Sequence, residues 1–301
     1  MNLHYRCVAG CQLKTVSRLL ETHGKDKLTQ YKIVMDCVDY LGSLPPTTDA
    51  GLAFSDVFSL LKRESGICDP CGDVKRQNNA QALELLPFAR NMVDESTEPM
   101  HSAIAVSCAG NLLDANFADT FDLLGELRSL IDTRFLIDDY SLLKEDLLRA
   151  ERVMLDADNA GEIVLDRVLI DEIQRYRAAN GLAPVKVTTL VKSHPQLNDA
   201  MREDALIAKL DQVGEIVDIG CDCIGTPISR LSERALAAVS EADVILAKGL
   251  ANYESLHFEE RYLKKVYFLF KAKCELIAGM LGIEPGSFVL MRGDNERNKN
   301  T

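Results

Sequence analysis

The sequence predicts an α/β protein in which a doubly wound, mostly parallel sheet follows an all-helical N-terminal domain. From residue 152 onward, short apolar or β-branched runs alternate with helix-like stretches, which is typical of a parallel sheet covered by helices on both faces. Up to about residue 150, apolar residues recur every three or four positions, the period of amphipathic helices. We therefore predict a helical region over 1–150 and an α/β domain over 151–301.

The helical region contains five amphipathic stretches, separated by breaks such as Pro45-Pro46 and the segment Cys68-Asp-Pro-Cys71. The α/β region contains six runs with the composition of buried strands. The predicted helices cover 11–23, 28–44, 56–65, 74–95 and 117–150, and the predicted strands cover 153–157, 185–191, 215–220, 243–248, 265–270 and 287–292. In such sheets, ligands bind outside the carboxyl ends of the strands, so the residues after each strand are the ones to inspect.

Composition excludes several classes of function. A net charge of −12 argues against a nucleic-acid partner, because no broad basic face is available to bind phosphates. No apolar run reaches the roughly 20 residues of a membrane helix, so we expect no membrane partner. The first residues lack the apolar segment of a signal peptide, which predicts a cytoplasmic protein.

Nine cysteines without an export signal predict reduced thiols rather than a disulfide framework. Three close pairs stand out, namely Cys7/Cys11, Cys68/Cys71 and Cys221/Cys223. The first two pairs have enough sulfur for one four-thiolate zinc site, but independent thiols on helical segments are the simpler explanation.

Acidic and amide side chains follow the first two predicted strands, and a lysine with a glycine ends the fourth. Asp158 and Asn159 come after the first strand, Asn198 and Asp199 after the second, and Lys248 lies at the end of the fourth. Carboxylate and amide oxygens suit Mg²⁺ or Mn²⁺, and a lysine beside such an ion binds phosphate. The pattern indicates a metal ion with an anionic small molecule, such as a phosphate ester. The alternative is that the same residues cap the helices that follow them.

Six blocks of the chain resemble the metal-dependent damage-control phosphatases, formerly a family of unknown function, and in particular their compact archaeal and bacterial branch. The blocks are Cys68–Lys75, Ala109–Asp114, Asp158–Glu162, Pro195–Asp199 with Glu203-Asp204, Asp243–Glu254 and Lys273–Glu275. They run in the family's order across nearly the whole chain. One departure is the N-terminal cysteine pair, which is usually spaced C-x-x-C in the family and is Cys7-Val-Ala-Gly-Cys11 here.

The resemblance implies a Rossmann-like α/β domain with a helical N-terminal region packed on it. It implies a divalent ion (Mn²⁺, Mg²⁺, Co²⁺ or Ni²⁺) bound by Asp158, Asn159 and Asp199, with Lys248 facing the substrate phosphate. The implied reaction is hydrolysis of small phosphomonoesters, including sugar phosphates and damaged phosphometabolites, by a metal-activated water. The substrate pocket is expected to contain Asn111, Asp114, Glu162, Asn252 and Glu254 as well.

Three other interpretations remain open from the sequence. The run Val153–Ala160 also fits a haloacid-dehalogenase-like phosphatase, in which Asp156 attacks phosphorus and Asp158 acts as general acid. A Rossmann-like domain with acidic strand ends also fits an adenosylmethionine-dependent methyltransferase, although only Gly161 represents the glycine-rich loop. The third is a zinc or redox module built on the cysteine pairs.

Overall fold

The computed structural model describes residues 1–113, 127 and 134–300, and within these residues seven strands form one sheet. The strands are β1 (Ile137–Asp138), β2 (Arg152–Asp156), β3 (Lys186–Val191), β4 (Gly214–Asp218), β5 (Val244–Lys248), β6 (Val266–Lys271) and β7 (Phe288–Arg292). Their order is β1-β7-β6-β5-β2-β3-β4, and all neighbours are parallel except β6 and β7. The predicted mostly parallel α/β fold is confirmed.

Helices precede the sheet and then alternate with its strands. They are α1 (Leu13–Thr22), α2 (Lys27–Ser43), α3 (Ala50–Ser65), α4 (Gly72–Asp94), α5 (Pro99–Leu113), α6 (Tyr140–Arg149), α7 (Glu162–Ala179), α8 (Arg202–Ile207), α9 (Glu233–Glu241), α10 (Gly249–Leu256) and α11 (Glu275–Leu281). A π-helical turn over Cys7–Gln12 leads into α1. None of the helices in the described part of the chain is long and apolar enough to cross a membrane.

Each of the six predicted strands is present as one of β2 to β7. The structure adds β1, whose two residues are too few to show a periodic pattern. Of the predicted helix over 117–150, the part before residue 134 lies outside the described residues except for Leu127, and the last part forms α6. The division at residue 150 stays a prediction. The strand β1, which precedes it, pairs with β7 at the sheet edge.

The sheet separates two apolar layers. Leu155 and Leu246 belong to the layer that contains α4, α5 and α7, whereas Met154 and Ile245 belong to the layer that contains α9, α10 and α11. After β2 the chain moves outward through β3 to β4 and then returns to β5 on the other side of β2. The crevice outside the carboxyl ends of β2 and β5 is therefore the switch point, where parallel α/β sheets bind ligands.

The helices α1, α2 and α3 form a separate apolar cluster that contacts the carboxyl ends of the strands. Ser55 of α3 accepts a hydrogen bond from the backbone N–H of Ile224, 2.8 Å away. Lys62 of α3 donates to the backbone carbonyl of Pro195 at 3.0 Å. Because Ile224 and Pro195 follow β4 and β3, these bonds place α3 over the carboxyl ends of the strands, beside the switch point.

The start of β4 has no room for a side chain. A Cβ on Gly214 would lie 2.2 Å from the carbonyl oxygen of its partner Val187, whereas one on Gly42 in α2 would meet nothing within 4 Å. We expect Gly214→Ala to lower the free energy of unfolding by about 2 kcal/mol or more. Gly42→Ala should raise it by about 0.5–1 kcal/mol, since alanine favours helix. Denaturant titration compares the two variants, and equal stabilities would contradict this packing.

Candidate active site

The segments that follow β2 and β3 are joined by their backbones. The N–H of Ala200 donates to the carbonyl of Asp158 at 2.7 Å, and the N–H of Ala160 donates to the carbonyl of Asn198 at 2.9 Å. This short antiparallel bridge pairs Asn159 with Asp199. Residues 40 positions apart in the sequence are therefore held side by side by main-chain geometry.

The carboxylate of Asp158 packs against the start of α10. A Cβ on Gly249 would lie 2.1 Å from the Asp158 carboxylate, so only glycine allows this approach, and Gly249 also has a φ of +76° that favours glycine. The first backbone N–H groups of a helix carry partial positive charge, which favours a carboxylate at this position. On the other side, the ammonium group of Lys192 lies 3.9 Å from Asp199 Oδ2 and donates to the carbonyl of Gly225 at 2.6 Å.

The two segments open onto a cavity of about 300 Å³ between α3, the π-helical turn and the carboxyl ends of the strands. Its wall includes all three predicted metal ligands and residues from both halves of the chain. The lining residues are Cys7, Cys11, Gln12, Ala50, Gly51, Phe54, Asp158, Asn159, Leu197, Asn198, Asp199, Ile224, Leu250, Ala251, Glu254, Lys273 and Cys274. This volume is at the lower end of the range for small-molecule sites.

Of the predicted site residues, Asp158, Asn159, Asp199 and Glu254 line this cavity. Burial raises the pKa of Glu254 to about 7. Three others, Glu162, Lys248 and Asn252, lie behind the wall and are buried. The side chain of Asn111 and the whole of Asp114 lie outside the described residues.

Lys248 does not reach the cavity surface in this structure, because its ammonium group is enclosed by acceptors. It donates to Asp166 Oδ1 at 2.7 Å, to the carbonyl of Ser107 at 3.1 Å, and to Glu162 Oε1. Burial alone lowers the pKa of Lys248, but Asp166 and Glu162 outweigh it and hold the pKa above its ordinary value. Burial raises the pKa of Glu162 to about 8, against the opposing effect of Lys248. The lysine therefore stays charged, and Glu162 holds a proton near neutral pH.

This buried group also contacts the amide of Asn159. Asn159 Nδ2 donates to Asp158 Oδ2 at 2.8 Å and approaches Glu162 Oε2 at 3.5 Å. Since a carboxylate oxygen of Asp158 can only accept, the nitrogen of the amide must face Asp158, and the amide oxygen Oδ1 points the other way. A chain of contacts thus runs from Lys248 through Glu162 to a predicted metal ligand.

Asp156 is buried below the cavity and bound to Thr226. The amide nitrogen of Asn252 donates to three backbone carbonyls, so its oxygen accepts the hydroxyl proton of Thr226 at 3.1 Å. The same hydroxyl also lies 2.9 Å from Asp156 Oδ1, which accepts from it, and burial raises the pKa of Asp156 to about 6. Asp156 is 1% exposed and does not line the cavity, so it is poorly placed to attack a bound phosphate, which disfavours the haloacid-dehalogenase-like interpretation.

The alternative that the strand-end acids cap helices is wrong. The helix α7 has Gly161 as its N-cap and no side-chain capping bond. The helix α8 begins after Met201, whose backbone N–H donates to Asp204 at 2.7 Å. Asp158 therefore does not cap α7, and Asp199 does not cap α8.

Sequence reasoning missed several cavity residues. Lys273, which follows β6, lies on the cavity wall, whereas the sequence assigns its block no role in the site. Gln12 and Phe54 come from the helical region, and no local pattern marks either as a ligand contact. Leu197 has a φ of +48°, a backbone conformation that a leucine rarely adopts and that sequence does not reveal.

The nine cysteines are free thiols, as predicted. Cys7, Cys11 and Cys274 line the cavity, and burial raises the pKa of both Cys7 and Cys11. Within the described residues, no three His, Cys, Asp or Glu side chains converge as the ligands of one metal ion. The zinc module that the cysteine pairs suggested is therefore not formed there.

A family model described as "Damage-control phosphatase ARMT1-like domain" matches residues 3–289. The chain belongs to this family. A damage-control phosphatase of Archaeoglobus fulgidus is 34% identical over 229 residues, which are 74% of this chain and 76% of that protein. A damage-control phosphatase of Pyrococcus horikoshii is 27% identical over 298 residues, which are 97% of this chain and 98% of that protein. These names support a phosphatase enzyme.

The fold agrees with a solved structure. The crystal structure of a DUF89 family protein from Pyrococcus horikoshii matches with a TM-score of 0.87 and 26% identity, covering 98% of this chain and 100% of that chain. The match extends over both the helical region and the sheet.

In this damage-control phosphatase family member, the chemistry of the cavity wall fits a hard divalent cation. Asp158 and Asp199 supply carboxylate oxygens, and the oriented amide of Asn159 supplies a neutral one. All three lie on one wall because of the backbone bridge. Oxygen donors of this kind suit Mg²⁺ or Mn²⁺, and carboxylate sites also accept Co²⁺ or Ni²⁺.

Removal of the buried lysine charge tests the packing behind the site. We expect Lys248→Met to lower the free energy of unfolding by about 3–5 kcal/mol, because two carboxyl groups lose their buried partner. The control is Arg149→Met, which breaks exposed pairs with Glu145 and Asp146 and should cost at most about 1 kcal/mol. Denaturant titration of both variants measures the difference, and a loss below about 1 kcal/mol in Lys248→Met would contradict the assignment.

Proposed function

We propose that the protein is a metal-dependent phosphatase that hydrolyses small phosphomonoesters in the cavity between α3 and the switch point. The observation that carries the proposal is the backbone bridge that sets Asp158, Asn159 and Asp199 on one cavity wall. Membership in the damage-control phosphatase family supports the reaction class. The proposed ion is Mn²⁺, Mg²⁺, Co²⁺ or Ni²⁺.

When bound, such an ion polarises a phosphoryl oxygen and makes hydroxide available near neutral pH. Asp158, Asn159 and Asp199 hold it, and either Asp158 or Asp199 accepts the proton of the attacking water. Lys273 lies two strands away from Asp158 along the sheet edge, about 10 Å at the usual strand spacing. A lysine side chain spans most of that distance, so we assign Lys273 to the negative charge of the phosphoryl oxygens.

Glu254 is placed to assist the leaving group. It lines the same cavity, and its raised pKa of about 7 lets its carboxyl hold a proton near neutrality. A group with such a pKa is suited to donate a proton to the departing alkoxide. Lys248 then acts from behind the wall as a positioning residue, through Glu162 and Asn159, and not on the phosphate itself.

Loss of one ligand tests the metal role. Asp158→Ala should lower metal-dependent hydrolysis of p-nitrophenyl phosphate at least 100-fold and weaken Mn²⁺ binding in calorimetry, because a carboxylate donor is gone. The melting temperature should stay near that of the parent chain. Asp211→Asn, an exposed acid far from the cavity, is the control and should change neither quantity. Full activity of Asp158→Ala would rule out the proposed site.

A substitution of the buried Asp156 distinguishes attack by a metal-activated water from the haloacid-dehalogenase-like mechanism with an aspartyl nucleophile. An asparagine amide oxygen can accept from the Thr226 hydroxyl as Asp156 Oδ1 does, so Asp156→Asn should keep hydrolysis within about tenfold of the parent rate. If Asp156 were the nucleophile, the same change would abolish turnover. Mass spectrometry of acid-quenched reactions provides the second check, since a phosphorylated peptide that contains Asp156 would support the covalent mechanism.

A further inference from the structure

The organic part of the substrate meets a largely apolar wall. Phe54 from α3, Leu197 after β3, Ile224 after β4 and Leu250 in α10 all line the cavity. A sugar phosphate carries several hydroxyl groups, each of which needs a hydrogen-bond partner once it leaves water. Apolar side chains offer none, and a buried donor without a partner weakens binding. This wall is better matched to an apolar moiety of similar size.

One of these apolar residues, Leu197, has a strained backbone conformation. Leu197 has a φ of +48°, in the left-handed region that disfavours a branched side chain. The residue lies in the segment that carries Asn198 and Asp199, so its backbone is fixed from both sides by the bridge and by the bond from Asp199 N–H to the carbonyl of Gln196, 2.9 Å away. Strain of this kind persists where the surrounding structure requires it, and often at ligand sites.

One buried acceptor interrupts the apolar wall. The side chain of Gln12 is 1% exposed and lines the cavity. Its Nε2 donates to the carbonyl of Ala50 at 3.2 Å, and this contact fixes the orientation of the amide, because a carbonyl can only accept. Gln12 Oε1 is buried and receives no hydrogen bond from the described residues. An acceptor left in this state is suited to a donor that arrives with a ligand.

We propose that the cavity selects a phosphomonoester of a largely apolar alcohol that bears one hydrogen-bond donor, an amide N–H or a hydroxyl, and that Gln12 Oε1 accepts this donor. The inference rests on the proposed function, in which the phosphate binds beside Asp158 and Asp199. It narrows the substrate class away from polyhydroxylated sugar phosphates. Phe54, Leu197 and Leu250 then provide apolar contact, and Gln12 provides orientation.

Three synthetic probes test the proposal with the metal-loaded enzyme. They are 4-acetamidobutyl phosphate, which is apolar with one N–H, hexyl phosphate, which has no donor, and glucose 6-phosphate. The value of kcat/KM for the acetamido probe should exceed that for glucose 6-phosphate at least tenfold. Gln12→Met should reduce the preference for the acetamido probe over hexyl phosphate at least tenfold. The control Gln30→Met removes a glutamine that also donates to a backbone carbonyl but lies outside the cavity wall, and it should leave that preference unchanged.

A second variant keeps the test decisive if Gln12→Met fails to fold. Leu197→Asn places a polar group on the wall in a residue type that tolerates the left-handed conformation, and it should shift selectivity toward glucose 6-phosphate at least fivefold. The inference is overturned if glucose 6-phosphate is the best substrate of the parent chain, or if neither variant changes the preference. Failure to hydrolyse any probe or p-nitrophenyl phosphate with each of the four metal ions would instead contradict the proposed function.

Discussion

The backbone bridge between the segments after β2 and β3 is the constraint on which the site depends. Its two hydrogen bonds place Asp158 and Asp199 close together although like charges repel, because main-chain geometry and not side-chain attraction fixes the distance. The repulsion is offset by the start of α10 beside Asp158 and by Lys192 beside Asp199. In our proposal this arrangement binds a divalent cation with little reorganisation, because the backbone already holds the two segments together.

A second layer of charge lies behind the first. Lys248 joins β5 to α7 and α5 through Glu162, Asp166 and the carbonyl of Ser107, all in the interior. Removal of three ionisable groups from water is costly, and an apolar core of the same shape would often be more stable. The buried charged group also contacts the site, since Glu162 Oε2 lies 3.5 Å from the amide nitrogen of Asn159. Stability and site geometry are thus coupled through one lysine.

The sequence predicts the sheet well because parallel strands are buried on both faces and therefore appear as continuous apolar runs. The rule that ligands bind at carboxyl ends of strands then leads to Asp158, Asn159 and Asp199. Other features depend on long-range packing, which local patterns do not encode. Gln12 reaches the cavity only because α3 and its neighbours dock over the switch point. The sequence only weakly indicates that Lys248 points inward. The indication is that Glu162 and Asp166 lie one turn apart in α7 with apolar residues between them.

The most direct test of the central claim is the position of a bound metal ion. A crystal grown with Mn²⁺ and measured near the manganese absorption edge should show one anomalous peak within about 2.0–2.3 Å of oxygens from Asp158, Asn159 and Asp199. The account also predicts that this peak disappears in Asp199→Ala crystals. An anomalous peak coordinated elsewhere, with these three side chains pointing away from one another, would contradict it.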